Sequence, residues 1–194
     1  MRKILMLAAG LTALGVLGAL APAVAATTEP TPYCGIRWGS LPKTNLIHTY
    51  TTAPVTNLRA GQHSCFDRLV IDVGPQQPGI PQTQHYGYQL AYGPQPRNEH
   101  TLQLIPVRGG AFLHIVVNAS AIDDNYNPTY APADRLHAVN VTGFRTFRQV
   151  AFFGTYEAQT SITIGVRARL PFRVFYLSGP HAGSRLVIDV AHRW

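Results

Sequence analysis

The chain lacks the short motifs that mark common hydrolases and zinc proteins. It contains no G-x-S-x-G string to present a nucleophilic serine and no H-E-x-x-H string to hold zinc. Its histidines and its two cysteines show none of the paired spacings that zinc sites use. These absences argue against a hydrolase or a zinc enzyme, so the sequence predicts a non-catalytic protein without a cofactor.

Long hydrophobic runs are missing after the first 25 residues. Before that point, Arg2 and Lys3 precede an apolar stretch diluted by small residues, Ile4 to Leu20, and Ala23-Val24-Ala25 forms a cleavage site. We predict a signal peptide over residues 1–25, cut after Ala25 or one residue later. No following segment is long enough to span a bilayer. We therefore expect a secreted, extracellular protein that associates with the cell wall.

Cysteine is scarce, since Cys34 and Cys65 are the only two in the chain. In an exported protein the default expectation is one disulfide between them. On the chain-entropy account, closing this loop stabilises the fold by about 3–4 kcal/mol. The alternative is a pair of free thiols.

Lysine and acidic residues are also scarce. Once Arg2 and Lys3 are removed, 14 basic residues face nine acidic ones, and Lys43 is the only lysine. Arginine forms bidentate contacts with carboxylates and phosphates and stacks on aromatic rings. A basic exported protein tends to associate with anionic polymers, such as those of a bacterial envelope. A codon bias that favours arginine is the alternative explanation.

The periodicity of the chain is mostly two rather than 3.6, which is typical of β-strands. Residues 26–57 are rich in proline and threonine and indicate an extended arm, and residues 58–194 indicate one β-sandwich domain. The one alternative helix is Phe144–Ala151. The predicted strands are Phe66–Val73, Tyr86–Tyr92, Thr101–Ile105, Phe112–Asn118, His137–Val141, Arg148–Phe153, Thr160–Arg167, Phe172–Leu177 and Arg185–Ala191.

One six-residue string, Arg-Leu-Val-Ile-Asp-Val, occurs twice, at Arg68–Val73 and Arg185–Val190. Because alternate residues of a strand share a face, each copy puts its arginine and aspartate on one face and three apolar residues on the other. We predict two central strands in pseudo-symmetric halves. If the copies pair antiparallel in register, Arg68 faces Asp189 and Arg185 faces Asp72. If they lie in separate sheets, each aspartate needs another partner. The four charged residues are interpreted as contacts that lock the fold, with a direct ligand role as the alternative.

Several short segments follow one another in a fixed order along the chain. They are Gly61-Gln62-His63, Cys65 to Arg68, Phe153 to Glu157, Ile164 to Val166, Pro171 to Leu177 and Arg185 to His192, with Trp38 to Pro42 as a lead-in. This ordered set resembles the AMIN-like domain of exported actinobacterial proteins over roughly residues 58 to 192. The resemblance implies a pseudo-symmetric sandwich of small sheets. AMIN domains proper are non-catalytic modules that localise cell-wall amidases and secretion pores by binding peptidoglycan.

Asp123, Asn125 and Asn127 match positions 1, 3 and 5 of a calcium loop, and Asp134 falls at position 12. Pro128 replaces the glycine that the sharp turn of such a loop needs. Asx-turns in a surface loop explain the same residues, and we favour that interpretation.

A tentative binding surface combines two groups of side chains. Arginine with tyrosine is the chemistry of glycan, phosphate and protein recognition. The expected partner is a cell-wall glycan or another exported protein, and export argues against nucleic acid. The same residues also occur on β-sandwiches without a ligand. The candidates are Arg167, Arg169 and Arg173, which flank Pro171, and Tyr86, Tyr88 and Tyr92, which share one face of a strand.

Overall fold

Two antiparallel β-sheets form the protein in the computed structural model, which describes residues 32–46, 50–75, 86–98, 101–179 and 182–194. The predicted signal peptide and the first residues of the predicted arm lie outside these ranges. No α-helix occurs among the described residues, and a short 3₁₀ turn covers Tyr33–Gly35. The strands are β1 Lys43–Asn45, β2 Val55–Gln62, β3 Phe66–Val73, β4 Tyr88–Gly93, β5 Ala111–Val117, β6 Phe147–Tyr156, β7 Gln159–Val166, β8 Phe172–Ser178 and β9 Ser184–Ala191.

The strand order is β1-β4-β5-β7-β6 in the larger sheet and β2-β3-β9-β8 in the smaller one. Alternate side chains of the central strands point into the space between the sheets and are fully buried, which is the pattern expected for a sandwich. The prediction of an all-β sandwich is confirmed. Its core includes Leu58, Leu69, Ile71, Leu90, Leu113, Ile115, Val117, Val150, Phe152, Ile162, Ile164, Phe172, Leu186, Ile188 and Val190.

The two copies of the repeated string are neighbours in the smaller sheet. β3 and β9 pair antiparallel, with Arg68 opposite Asp189 and Asp72 opposite Arg185. β2 and β3 form one hairpin, β8 and β9 form another, and the repeated strands lie side by side in the middle. The in-register alternative of the sequence analysis is therefore the observed one.

Two predicted strands are wrong. Residues 101–105 form a turn held by local hydrogen bonds, with one isolated bridge from Leu104 to Arg97. Residues 137–141 form a loop beside β6, joined to it by a hydrogen bond from the Ala138 amide to the Val150 carbonyl. The alternative helix Phe144–Ala151 is also wrong, since most of that segment belongs to β6.

The predicted arm contributes to the sandwich. β1 pairs with β4, and β2 starts at Val55 and crosses the boundary that the sequence placed at residue 58. The Cys34–Cys65 disulfide fastens the segment before β1 to the turn between β2 and β3. An isolated bridge from Gly39 to Phe172 holds the same segment against β8. No helix among the described residues is long and apolar enough to cross a lipid bilayer.

Candidate functional site

Six arginines that are far apart in the sequence meet at one end of the sandwich. Val166, at the end of β7, pairs with the first residues of both β5 and β6, so the chain around these positions lies at a single end. The start of β3 and the end of β9 lie at the same end. Asp67 of β3 pairs with Val190 of β9, and its carboxylate accepts hydrogen bonds from the Thr146 and Phe147 amides at the start of β6. We call this surface the basic end and define it by Arg108, Arg145, Arg148, Arg167, Arg169 and Arg193.

Each arginine of the basic end contacts a neutral group, and none forms an ion pair with a carboxylate of the described residues. Arg148 is half-buried and the other five are exposed. Their contacts are Arg108 to the Gln149 amide oxygen (3.3 Å), Arg145 to the Ser64 carbonyl (3.5 Å), Arg148 to the Phe144 and Phe147 carbonyls (3.0 Å each), Arg167 to the His192 carbonyl, Arg169 to the Ser40 carbonyl (3.3 Å) and Arg193 to the Tyr33 ring (4.6 Å).

These neutral contacts orient the guanidinium groups and leave their positive charge uncompensated. A guanidinium has five N–H donors, so one or two bonds to carbonyls leave others for a ligand. Planar forks of this kind bind phosphate and carboxylate oxygens in pairs. The basic end is therefore suited chemically to an anionic group or a chain of such groups.

Of the four exposed acidic side chains of the described residues, three lie at the opposite end, and the fourth, Asp134, pairs with His137 beside β6. Glu157 is in the turn between β6 and β7, and Asp123 and Asp124 lie in a loop next to it. A hydrogen bond of 2.8 Å from the Ala121 amide to Thr155 Oγ1 holds that loop against the end of β6. The charge of the sandwich is thus polarised along its strands, with the positive side at the basic end.

An aromatic platform adjoins the basic end on the outer face of the smaller sheet. Trp38, Phe66 and Phe175 form it, all half-buried, and Arg173 lies 5.0–5.6 Å from the centre of each ring. Arg68 stacks on the Phe66 and Phe175 rings as well, at 5.1 and 5.5 Å. Stacked cations of this kind contribute about 0.5–1 kcal/mol each at exposed sites.

Asp189 anchors both arginines of the aromatic platform. Its carboxylate has no exposed surface and accepts bonds of 2.6 and 2.9 Å from Arg68 and of 2.7 Å from Arg173. Two positive charges share one negative charge here, which leaves the aromatic platform with a net charge of +1. The carboxylate is fully used inside the protein, in agreement with the interpretation that it locks the fold.

At the other end of the two paired strands, the contacts of Asp72 with its arginines are more exposed than those of Asp189. Arg59 forms two hydrogen bonds to Asp72, at 2.9 and 3.1 Å, and these bonds raise the pKa of Arg59. Arg185 Nε lies 3.4 Å from Asp72 Oδ1, which is within ion-pair range but is not a hydrogen bond. Arg59 and Arg185 remain partly exposed, so this pair is weaker than that at Asp189.

A buried latch beneath the basic end joins the two sheets. Asp67 accepts amide hydrogen bonds of 2.6 Å from Thr146 and 2.9 Å from Phe147, and His192 Nε2 lies 3.0 Å from its other oxygen. His192 Nδ1 faces the Ser64 carbonyl at 3.2 Å. Both ring nitrogens therefore tie His192 to the turn and strand around Asp67. The latch fixes the strand termini that carry the arginines.

The structure separates the predicted binding residues. Arg167 and Arg169 belong to the basic end, whereas Arg173 lies on the aromatic platform. Arg169 stacks on Tyr92 at 5.2 Å, and the Tyr92 hydroxyl donates a 2.7 Å hydrogen bond to the Leu170 carbonyl. Burial raises the pKa of Tyr92 to about 12, against the opposing effects of that hydrogen bond and of the Arg169 charge.

Tyr86 and Tyr88 point toward the core side of the larger sheet. Tyr86 is only 1% exposed, so its ring offers no surface to a ligand. Tyr88 is half-buried and packs against the same core, 5.7 Å from the Tyr176 ring. Burial raises the pKa of both tyrosines. The three tyrosines share the inner face of the larger sheet. Alternation in the sequence shows that they share a face, but it does not show whether that face is the inner or the outer one.

The calcium-like residues form local turns. Asp123 accepts hydrogen bonds from the Asn125 and Asn127 amides at 2.9 and 2.8 Å, and these bonds lower the pKa of Asp123. Asp134 instead contacts His137 Nδ1 at 2.8 Å, which lowers the pKa of Asp134. The geometry supports the Asx-turn interpretation. Among the described residues, no three His, Cys, Asp or Glu side chains converge as metal ligands would.

Sequence reasoning missed four arginines of the basic end and the aromatic platform. Arg108, Arg145, Arg148 and Arg193 stand next to turns or strand ends, and no local pattern sets them apart from other surface arginines. What these arginines share is a position near a strand end, and those strand ends meet at the basic end. Recognising this in the sequence requires the order of the strands in the two sheets, which only the structure gives.

The fold and the disulfide define an all-β sandwich domain of the extracytoplasmic kind. The chain belongs to the AMIN-like domain family, whose sequence model matches residues 53–192. No curated protein matches the chain. The family and the disulfide together indicate an extracytoplasmic location.

Proposed function

We propose that this protein is a non-catalytic cell-envelope module that binds peptidoglycan or an associated anionic polymer of the cell wall. The basic end is the binding surface, and the protein acts outside the cytoplasm after removal of its signal peptide. It needs no cofactor in this role.

The observation that carries the proposal is the position of the uncompensated arginines. Six guanidinium groups lie at one end and contact only carbonyls, an amide oxygen and aromatic rings, while three of the four exposed acids of the described residues lie at the other end. A polarised surface of this kind attracts and orients a polyanion, and the attraction weakens as salt is added.

The buried carboxylates favour a binding role over catalysis. Asp67, Asp72 and Asp189 are each committed to arginine, histidine or backbone partners. An acid–base role needs a carboxylate that exchanges its proton with a substrate. These three are instead held by the fold, which supports a module without chemistry of its own.

A secreted protein–protein interaction domain is the second candidate function, and the aromatic platform favours it. Aromatic and arginine side chains are enriched at the centres of protein interfaces, and Trp38, Phe66 and Phe175 stand beside two arginines there. Under this alternative the partner is another exported protein and no wall polymer is bound.

Sedimentation with purified cell walls tests the proposal. The protein is mixed with intact walls and with walls from which the attached anionic polymers have been extracted. We expect it to sediment with intact walls at low salt and to be released as the ionic strength rises past the physiological range. Retention on extracted walls identifies peptidoglycan itself as the ligand. Absence from both pellets at low salt contradicts the proposal and leaves the interaction domain.

A further inference from the structure

A second concave surface lies on the outer face of the larger sheet, away from the aromatic platform. It is a groove of about 740 Å³, within the range of small-molecule binding sites. β5 and β7 form its floor with His114, Ser161 and Thr163. Residues 94–98 and Ile105 form one wall, and Phe153 and Tyr156 at the end of β6 form the other. We call it the outer groove.

The first wall is held in place by its own hydrogen bonds. The Ile105 amide donates to the Pro96 carbonyl at 2.8 Å, and Gln95 Nε2 donates to the Ile105 carbonyl at 2.9 Å. His114 ties this wall to the floor: its Nε2 lies 2.8 Å from the Pro94 carbonyl, and its Nδ1 lies 3.0 Å from Thr163 Oγ1. These two contacts fix the wall against the sheet.

A β-bulge shapes the second wall. The register between β6 and β7 shifts between Phe152 and Gly154, and Gly154 has a φ of +96°, which favours glycine. The extra residue, Phe153, therefore escapes the alternation of its strand and lines the groove. Bulges are over-represented beside binding sites because they re-aim one side chain.

The chemistry of the outer groove is polar but almost without charge. Among the described residues that line it there is no carboxylate and one cation, Arg97, which donates to the Leu102 carbonyl at 2.9 Å. Ser161 and Thr155 supply hydroxyl groups, and Asn98 supplies an amide. Phe153 and Tyr156 add aromatic rings, and Tyr156 is 79% exposed. This lining suits a ligand that carries hydroxyl or amide groups and an apolar face and that needs no charge of its own to bind.

From this lining we infer that the outer groove binds an uncharged oligosaccharide. The hydroxyl groups of a sugar ring match donors and acceptors of both kinds, and its C–H face packs on aromatic rings. A polyanion would find one cation here, against six at the basic end. An extended peptide would place its backbone against a sheet face, and not against the free edge that strand addition requires.

The test uses the full chain and a panel of uncharged trisaccharides: cellotriose, maltotriose and tri-N-acetylchitotriose. Binding is followed by titration with NMR detection of backbone amides. Three variants accompany the wild type. Ser161→Trp fills the floor, Tyr156→Ala removes an exposed ring of the groove, and Tyr126→Ala removes an equally exposed ring (83%) elsewhere.

We expect at least one trisaccharide to bind in the millimolar range, with shifts concentrated around His114 and Ser161. Ser161→Trp should abolish binding, Tyr156→Ala should weaken it several-fold, and Tyr126→Ala should leave it unchanged. Because the ligand is uncharged, added salt should not alter the affinity, which distinguishes this site from the basic end. No saturable shifts with any of the three sugars, or shifts that persist in Ser161→Trp, overturn the inference.

Discussion

Arg68 and Asp189 face each other across two strands of identical sequence and are joined by two hydrogen bonds, of 2.6 and 2.9 Å. The pair connects the two hairpins of the smaller sheet. It also orients Arg68 against the Phe66 ring, so one contact serves both the fold and the aromatic platform. Its counterpart in the repeat, Asp72 with Arg185, is longer at 3.4 Å.

Asp189→Ala should destabilise the protein far more than Asp72→Ala. The first change leaves two half-buried guanidinium groups without their shared carboxylate, which costs about 3–5 kcal/mol. The second removes a partly exposed contact with Arg59, worth about 1 kcal/mol. Urea unfolding of both variants measures the difference. Equal losses would show that the two ends of the repeat are equivalent, contrary to the structure.

Asp67→Asn should weaken the latch between the sheets. One amide oxygen replaces two carboxylate oxygens that accept from Thr146, Phe147 and His192, so a buried donor loses its partner. We expect a loss of about 2–4 kcal/mol in the free energy of unfolding. Asp134→Asn, at an exposed carboxylate that pairs with His137, is the control and should leave the midpoint of urea unfolding nearly unchanged.

Removal of the disulfide by Cys34→Ser with Cys65→Ser should have two consequences. Stability should fall by about 3–4 kcal/mol, since the loop between the cysteines is no longer closed in the unfolded chain. The segment that carries Trp38 should also loosen from Phe66, since its anchor is lost. In a Trp194→Phe background, Trp38 emission should shift to the red. Lower stability with unchanged emission would mean that the bridge to Phe172 alone holds the ring.

Tyr92 should make the protein sensitive to alkali. Its pKa is raised from about 10 to about 12, mainly by burial. The unfolded chain therefore releases the proton first, so its contribution to stability is complete below pH 10 and is lost as pH rises from about 10 to 12. In that window each such tyrosine lowers the free energy of unfolding by up to about 1.4 kcal/mol per pH unit.

Tyr92→Phe tests this directly. The variant should be less stable at pH 8 by about 1 kcal/mol, because the hydrogen bond to Leu170 is lost. Its stability should then fall less steeply above pH 10 than that of the wild type. Urea unfolding at a series of pH values measures both effects, and parallel curves for the two proteins would contradict the assignment.

The sequence was most informative where alternation and repetition act together. The repeated string predicted central strands, and in-register pairing of its copies predicted the contact of Arg68 with Asp189 before any coordinates. Alternation failed at residues 101–105, where Leu102 has a positive φ and bonds to Asn98 within its own turn. Local backbone bonding of this kind leaves no trace in the apolar pattern.

The candidate site was less accessible than the fold. Arg145 and Arg193 come together because β3 pairs with β9 and Asp67 binds the start of β6, and both facts are tertiary. Trp38 stands in the lead-in segment of the family resemblance, and its place beside Phe66 depends on the disulfide and on the outer face of β3. Side chains that meet only through long-range pairing cannot be grouped from a single sequence.

The most direct measurement compares two charge-matched variants for binding to intact cell walls at low salt. Arg145→Gln with Arg193→Gln removes two charges from the basic end, and Arg59→Gln with Arg135→Gln removes two exposed charges elsewhere. The net charge of the two proteins is the same. We predict that the first pair weakens binding about tenfold or more and that the second changes it less than about twofold. Equal weakening would mean that binding follows net charge alone, and wild-type binding by the first pair would exclude the basic end as the wall-binding surface.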